Sequence, residues 1–495
     1  MNPILLIHGY SAESRRTSAK AITRIYGALP DALRARYGKR RVRELNVSRY
    51  VTLEDGLSLD DLARAMDQAL RNDAADLLDG RFDVIIHSTG ALVVRNWLRR
   101  FSSRPSPLDR LIYLAGAHFG SGWAHVGRGQ LAKWGRLVFQ GGTERGIQVL
   151  DALELGASET IDLHHSFLAP ERDLYRRYRV REFAVIGSQV LNTWLPVPVR
   201  YAHEDGSDGV VRVAAGNPNW NYVALAPTAR ANRLAWDEIT ASCKLLGGDP
   251  GARRAEPDEY YRVTAQVLAD DAEFPVPLAI PYQCAHSGKD HGVMAGKGVR
   301  NEVMALIDTA LNVGTAAQYR RAAVEFAARR EATRARVAEK LKPRVVRGLA
   351  NDPRAQYDAH AQLVFRLRDQ YGKPVKHFDI FFHSPPGCTL CINELFEHTH
   401  KNRRTDGSIV FYLRTTRFTD DEQDWVDQLA RLDTVQLEIA PVEPRTGDIR
   451  YLPVCLTLSG NRLRRFVQSH RTTVIDVTLM RLPAPGVFRV MPAAI

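Results

Sequence analysis

A serine sits where an apolar strand turns into a helix. Phe82, Val84, Ile85 and Ile86 form a short apolar run of the kind that is buried on both faces of a parallel sheet. His87-Ser88-Thr89-Gly90 ends the run, and Val94, Trp97, Leu98 and Phe101 then recur at helical spacing. A strand, a tight turn and a helix lift the Ser88 hydroxyl above the sheet edge. The free N–H groups and positive dipole end of the helix then point at any negative charge that develops there. This is the setting of a nucleophile in the pattern G-x-S-x-G, with Ile86 in place of the first glycine. The bland alternative is a capping serine, because serine is a favoured N-cap.

A serine nucleophile needs donors for the oxyanion of its tetrahedral intermediate. One is the N–H of the residue that follows it, Thr89. The other comes from the loop after an earlier strand. Ile4-Leu5-Leu6-Ile7 is such a strand, His8-Gly9-Tyr10-Ser11 follows it directly, and the N–H of Tyr10 is the candidate.

The elements around these turns alternate. Ala21 to Tyr37 has helical spacing, Arg41 to Val47 reads as a short strand, and Ser58 with Asp61 forms a capping-box pattern ahead of Leu59, Leu62, Ala63 and Met66. Leu111 to Ala115 is another buried strand, and Arg181 to Ser188 another. Strands alternating with helices predict a mostly parallel α/β sheet. With 495 residues the chain exceeds one core, so two or three domains are expected. No apolar run approaches a membrane span. Met1 leads almost directly into the first strand without room for a signal peptide, which predicts a cytoplasmic chain or one exported by a route that reads no such signal. Five cysteines make no disulfide framework. The net charge of +12 draws the chain toward anionic surfaces, but the arginines are scattered and no nucleic-acid module is present. A lipid–water interface is the preferred partner, over a merely solvated basic surface.

Ile4–Tyr10, Val84–Arg95 and Ala115-Gly116-Ala117-His118-Phe119-Gly120-Ser121 together resemble the lipase and phospholipase branch of the α/β-hydrolase superfamily, over about residues 1–310. The last segment is similar to the loop that follows the strand after the nucleophile in bacterial and lecithin:cholesterol acyltransferase-like lipases. The resemblance implies a catalytic domain over 1–311, with a lid or cap over 121–180 that carries Trp123, Leu131 and Trp134, and a second, helical insertion over 228–272. Tyr222 to Leu225 reads as a last sheet strand or a hairpin. Asp208-Gly-Val-Val is similar to the loop that carries the acid of the family's triad, with Asp205 as local competitor. Two histidines follow in the order the fold requires, and both resemble the family's histidine loop. His291 is preferred, because Gly-Val-Met after it leads into the closing helix, and His286 is the runner-up.

Residues 312–352 read as a charged helical connector, whose cations from Arg320 to Arg336 could touch phospholipid headgroups or simply face water. Beyond Asp352-Pro353 the apolar residues alternate with period two: Leu363, Phe365 and Leu367; Ile409, Phe411 and Leu413; Val435, Leu437 and Ile439; Ile475, Val477 and Leu479. This predicts an antiparallel β-sandwich over 353–495, a module that could dock at an interface or bind a protein partner. Cys388, Cys391, His398 and His400 form a weak zinc candidate with unusual spacing; a redox pair is a further option. The whole predicts a serine ester hydrolase for lipid esters, with a Ser88–His291–Asp208 triad and no cofactor or metal. A soluble carboxylesterase or acyltransferase, and a catalytically silent adaptor acting through the sandwich, are the alternatives.

Overall fold

The structure, a computed structural model, describes residues 2–8, 22–23, 25–51, 56–126, 147–168, 173–189, 204–231, 234, 260–346, 349–443 and 449–483. They form two compact units. The first comprises Met1–Asn219, Ala269–His360 and Phe418–Trp425; the second comprises Trp220–Leu268, Ala361–Arg417 and Val426–Ile495. No described helix is long and apolar enough to cross a membrane.

The first unit is built on a parallel sheet. Its strands are β1 (Ile4–His8), β2 (Val42–Asn46), β3 (Phe82–His87), β4 (Leu108–Leu114), β5 (Arg181–Val185) and β6 (Leu278–Ala279), in the order β2-β1-β3-β4-β5-β6. The four apolar runs that announced themselves in the sequence are its centre. Ile4, Leu6, Ile85, Ile112 and Leu114 belong to one core cluster, and the alternate residues Leu5, Ile7, Val84, Ile86 and Leu111 are equally buried. Burial on both faces explains why these strands read as continuous apolar runs instead of alternating ones. The chain steps outward from β1 to β2 and returns to place β3 on the other side of β1. The reversal falls between β1 and β3, and open α/β sheets bind their ligands outside the carboxyl ends of the strands at such a point.

Helices α1 (Leu29–Tyr37), α2 (Leu59–Asp73) and α3 (Gly90–Arg100) connect these strands. Ser58 and Asp61 form the expected capping box: the Asp61 N–H donates to the Ser58 hydroxyl at 3.2 Å, and the Ser58 N–H to the Asp61 carboxylate at 3.0 Å. α2 and α3 are joined by the Trp97 indole N–H, which donates to Asp67 at 3.1 Å. α4 (Arg300–Leu311) and α5 (Ala316–Lys340) complete the unit. Where the sequence suggested a connector, α5 is part of the core: Tyr319, Ala322 and Phe326 lie in the cluster that holds Ile112 and Phe183. Several of its arginines are already engaged. Arg329 pairs with Glu325, Arg334 with Glu331, and the Arg336 guanidinium lies 4.2 Å from the centre of the Tyr282 ring. A face whose cations have intramolecular partners is a poor headgroup receptor.

The second unit is a β-sandwich. Six strands lie in the order Phe396–Lys401, Ser408–Arg414, His360–Asp369, Thr472–Leu479, Asn221–Pro227 and Tyr261–Val267. The outer pairs of this sheet are antiparallel, and Thr472–Leu479 runs parallel to both of its neighbours. The facing sheet, Phe378–His383, Thr434–Pro441 and Val454–Ser459, is antiparallel throughout. Val223, Leu363, Phe365 and Ile475 from one sheet share a core with Phe382, Leu437 and Leu456 from the other. The domain division therefore differs from the expected one. Residues 220–268, expected as part of the hydrolase domain, belong here, because Val223 and Leu225 point into the sandwich core and Asn221–Pro227 pairs with a strand some 250 residues later. Most of the expected helical insertion, residues 232–233 and 235–259, lies outside the described residues, as do residues 127–146 of the expected lid.

Phe326 on α5 is wholly buried, whereas Val324 is 71% exposed. Phe326→Ala is expected to destabilise the first unit by about 3–5 kcal/mol, measured by denaturant unfolding, whereas Val324→Ala changes little.

Candidate active site

Ser88 adopts φ 54°, in the left-handed region, directly after β3. A side chain there costs of order 1–3 kcal/mol and persists only where its surroundings hold it. They do: the Ser88 N–H donates to the Leu114 carbonyl at 3.1 Å, and the Ser88 carbonyl accepts from Ala91 at 3.1 Å and from Ala117 at 3.3 Å. α3 starts at once, leaving the Thr89 N–H at its open end without a helical acceptor. Gly116 gives the close approach: a Cβ on it would come within 3.2 Å of the Ala91 methyl. Tyr10, the other expected oxyanion donor, lies outside the described residues, although β1, which precedes it, is the strand beside β3.

Asp208 is fully buried in the turn after β5, and the N–H groups of Val210 and Val211 donate to its Oδ1 at 3.0 and 2.7 Å. Its Oδ2 meets the Nδ1 of His286 at 2.9 Å, and its carbonyl accepts the His286 N–H at 3.0 Å. The structure thus joins Asp208 to an imidazole, and the imidazole is that of His286. The preference for His291 is corrected. The loop doubles back on itself: Ala285 donates to the His291 carbonyl at 2.8 Å and Val293 to the Ala285 carbonyl at 2.9 Å. His291 therefore lies on the returning arm, its Nδ1 buried without a hydrogen-bond partner among the described residues. With Nδ1–H given to the carboxylate, the neutral tautomer of His286 keeps its lone pair on Nε2.

Residues to which the sequence assigned no role at the acid or the histidine hold these loops. Ser121 donates to the Val210 carbonyl at 2.6 Å and the Trp123 indole to the Gly209 carbonyl at 2.8 Å, so this tryptophan, expected in a lid, instead pins the acid turn. A buried bidentate pair, Arg212 to Glu204 at 2.8 Å for each contact, closes the same turn. Gly187 lies so near the Cys284 carbonyl that a Cβ would come within 1.9 Å of its oxygen. His87 touches His286 through its ring, with centroids 4.6 Å apart, and its Nε2 lies 3.2 Å from the His286 carbonyl. Four imidazoles of the first unit are held neutral by burial, their pKa pushed down: His87, His118 and His164 well below the ordinary range and His8 to about 4.

The other constellation does not form. Cys388 and Cys391 adjoin, but among the described residues no group of three or more His, Cys, Asp or Glu side chains is placed to hold a metal ion, so the histidines at 398 and 400 do not complete a zinc site.

This sheet, with a strained serine after its third strand and an acid–histidine pair on the strands beyond, has the α/β-hydrolase fold. No protein-family model and no curated relative matches the chain. Among solved structures it is similar to phospholipase PlaB from Legionella pneumophila, with a TM-score of 0.74 and 22% identity over 100% of this chain and 98% of that one. The same enzyme in complex with thio-NAD matches equally, at 23% identity. Bacillus licheniformis lipase BlEst2 in its mature form shares 15% identity over 44% of this chain and 79% of that one, with a TM-score of 0.30.

Gly187→Ala is expected to displace the loop that carries His286 and to slow fluorophosphonate labelling of Ser88 in protein whose circular dichroism is unchanged. The buried histidines also set a pH dependence. His8 binds its proton near 6.5 when unfolded and near 4 when folded, so its contribution, about 3 kcal/mol, is full above pH 6.5 and is lost as the pH falls toward 4. Unfolding free energies measured between pH 7 and 4.5 should fall steeply, and less steeply in His8→Phe.

Proposed function

We propose that this protein is a serine ester hydrolase of the phospholipase and lipase kind, with Ser88 as nucleophile, His286 as general base and acid, and Asp208 as the group that orients it. The observation that carries the reading is the Asp208–His286 pair, fully buried and anchored by backbone as well as side-chain bonds, in the same sheet whose third strand ends in a strained serine. The full-length likeness to a phospholipase favours a lipid ester as substrate, and the net charge of +12 favours an anionic phospholipid surface.

In this mechanism the Ser88 Oγ attacks the ester carbonyl carbon while His286 Nε2 takes its proton. The Thr89 N–H, together with the Tyr10 N–H from the loop after β1, binds the oxyanion; one such donor is worth about 3 kcal/mol of barrier. His286 then returns the proton to the leaving alcohol, and a water repeats the sequence to release the acid. The Asp208 carboxylate orients the ring and stabilises the imidazolium formed midway.

The test is hydrolysis of a defined phosphatidylglycerol in vesicles, with the released fatty acid measured. Ser88→Ala and His286→Ala should abolish turnover and Asp208→Asn lower it about 10⁴-fold, while His291→Ala stays within a few-fold of wild type. Failure of a fluorophosphonate to label Ser88 in folded protein would identify a silent hydrolase fold instead.

A further inference from the structure

We infer that His87 is a positioning residue for His286, holding the catalytic imidazole through its main chain; this rests on the reading of Ser88 and His286 given above. Three bonds determine where His286 sits. Its N–H donates to the Asp208 carbonyl at 3.0 Å, its Nδ1 to the Asp208 carboxylate at 2.9 Å, and its carbonyl oxygen lies 3.2 Å from His87 Nε2. A carbonyl oxygen only accepts, so His87 carries its proton on Nε2 and donates. Asp208 supplies two of these bonds and fixes the imidazole on one side. His87 supplies the third, from the residue that immediately precedes the nucleophile.

The consequence is geometric. β3 ends in His87 and Ser88 follows it directly, so the same backbone that lifts the Ser88 hydroxyl also carries the donor that holds the His286 loop. Any movement of the nucleophile turn carries the base with it. The rings are tilted at 51°, which lets His87 brace the face of the His286 imidazole while its Nε2 reaches the carbonyl. Burial keeps His87 uncharged, so no second cation faces the imidazolium formed during turnover.

The experiment compares His87→Leu and His87→Gln in the phosphatidylglycerol assay, with Ser88→Ala as control. Leucine removes the donor; glutamine restores an N–H at similar reach. His87→Leu should lower kcat about 10- to 100-fold with KM unchanged, and His87→Gln should recover most of it. Equal kcat in wild type and a folded leucine variant overturns the inference, as does a glutamine variant no better than leucine. Turnover that survives in Ser88→Ala overturns the hydrolase reading instead. Should the leucine variant not fold, nitrogen-15 NMR of histidine-labelled wild-type protein decides: His87 protonated on Nδ1 in place of Nε2 overturns the inference.

A different observation carries a second inference, on the sandwich. The Sγ atoms of Cys388 and Cys391 lie 3.1 Å apart in a turn that is closed at both ends, with Ile392 donating to the Ser384 hydroxyl at 3.0 Å and Cys391 to the Glu394 carboxylate at 3.1 Å. The turn has already brought the thiols together, so the entropy of closing their loop is spent. The other described cysteines are differently placed: Cys284 is wholly buried, and Cys455 accepts a bond from Gln436 at 3.2 Å. The geometry points to Cys388 and Cys391 as a thiol–disulfide exchange site for a small-molecule disulfide. One thiolate attacks that disulfide and expels one thiol; the other then attacks the mixed disulfide and expels the second, leaving the protein oxidised by two electrons and the small disulfide reduced. In protein equilibrated with oxidised glutathione, the tryptic peptide 377–401 should lose two hydrogens in mass and regain them with dithiothreitol, and Cys388→Ser should instead carry one glutathione on Cys391. A peptide that stays a dithiol, or carries glutathione on both cysteines, overturns the assignment.

Discussion

The site depends on one bond, from His286 Nδ1 to the carboxylate of Asp208. Both residues are withdrawn from water, so the bond has no competitor, and every oxygen of that carboxylate is engaged: Oδ1 by two backbone N–H groups and Oδ2 by the imidazole. An unpaired carboxylate at this depth would cost several kcal/mol. The acid turn is therefore determined by its own polar demand. Ser121, Trp123 and the Arg212–Glu204 pair then fix that turn to its surroundings, so that the orientation of one ring is set by a chain of satisfied polar groups.

Ser88 obeys the opposite logic. Ser88 is held in a conformation that costs energy, and the cost is met by its hydrogen bonds to Leu114, Ala91 and Ala117. A relaxed serine would lie along the strand or in the first helical turn. Strain at the hydroxyl and satisfaction at the acid are complementary, and they are what the proposed hydrolysis asks for, an acid that does not move and a hydroxyl that is presented. The strand order permits both. β3 lies at the reversal of the sheet, the place where open α/β sheets bind ligands, and the acid and histidine loops follow β5 and β6.

How much of this could be read from the residues depends on how local each feature is. The turn at Ser88 was legible because a buried strand, a serine and a helix occupy adjacent positions. The capping box at Ser58 and the alternating strands of the sandwich were legible for the same reason. Asp208 was legible through its Asp-Gly-Val-Val turn, whose two valine N–H groups bind the carboxylate. The choice between His286 and His291 was not, because both have glycine-rich flanks and the loop's reversal, set by the Ala285 and Val293 bonds, leaves no trace in spacing. Nor was the membership of residues 220–268: a strand alternating as Asn221–Pro227 does suits either sheet, and only its pairing with Thr472–Leu479 decides. The helix α5 misled through its charge. Its six arginines dominate the sequence, whereas only three residues, Tyr319, Ala322 and Phe326, place it in the core cluster.

Behind the Ser88 turn lies a second polar constellation that explains how α3 keeps its place. Arg95 on α3 pairs with Glu182 on β5 at 3.1 Å, and the Tyr113 hydroxyl on β4 donates to the same glutamate at 2.6 Å. Arg95 also bonds the His164 ring, whose Nε2 donates to the His118 carbonyl at 2.6 Å. Burying such a pair recovers little net stability, because desolvation cancels most of the attraction. What it supplies is direction. Apolar side chains of the same volume would fill the space and let α3 slide along the sheet, whereas a guanidinium tied to two elements has one position. Because α3 begins next to Ser88, its position along the sheet sets where the Thr89 N–H points, and with it the geometry on which the proposed oxyanion contact depends.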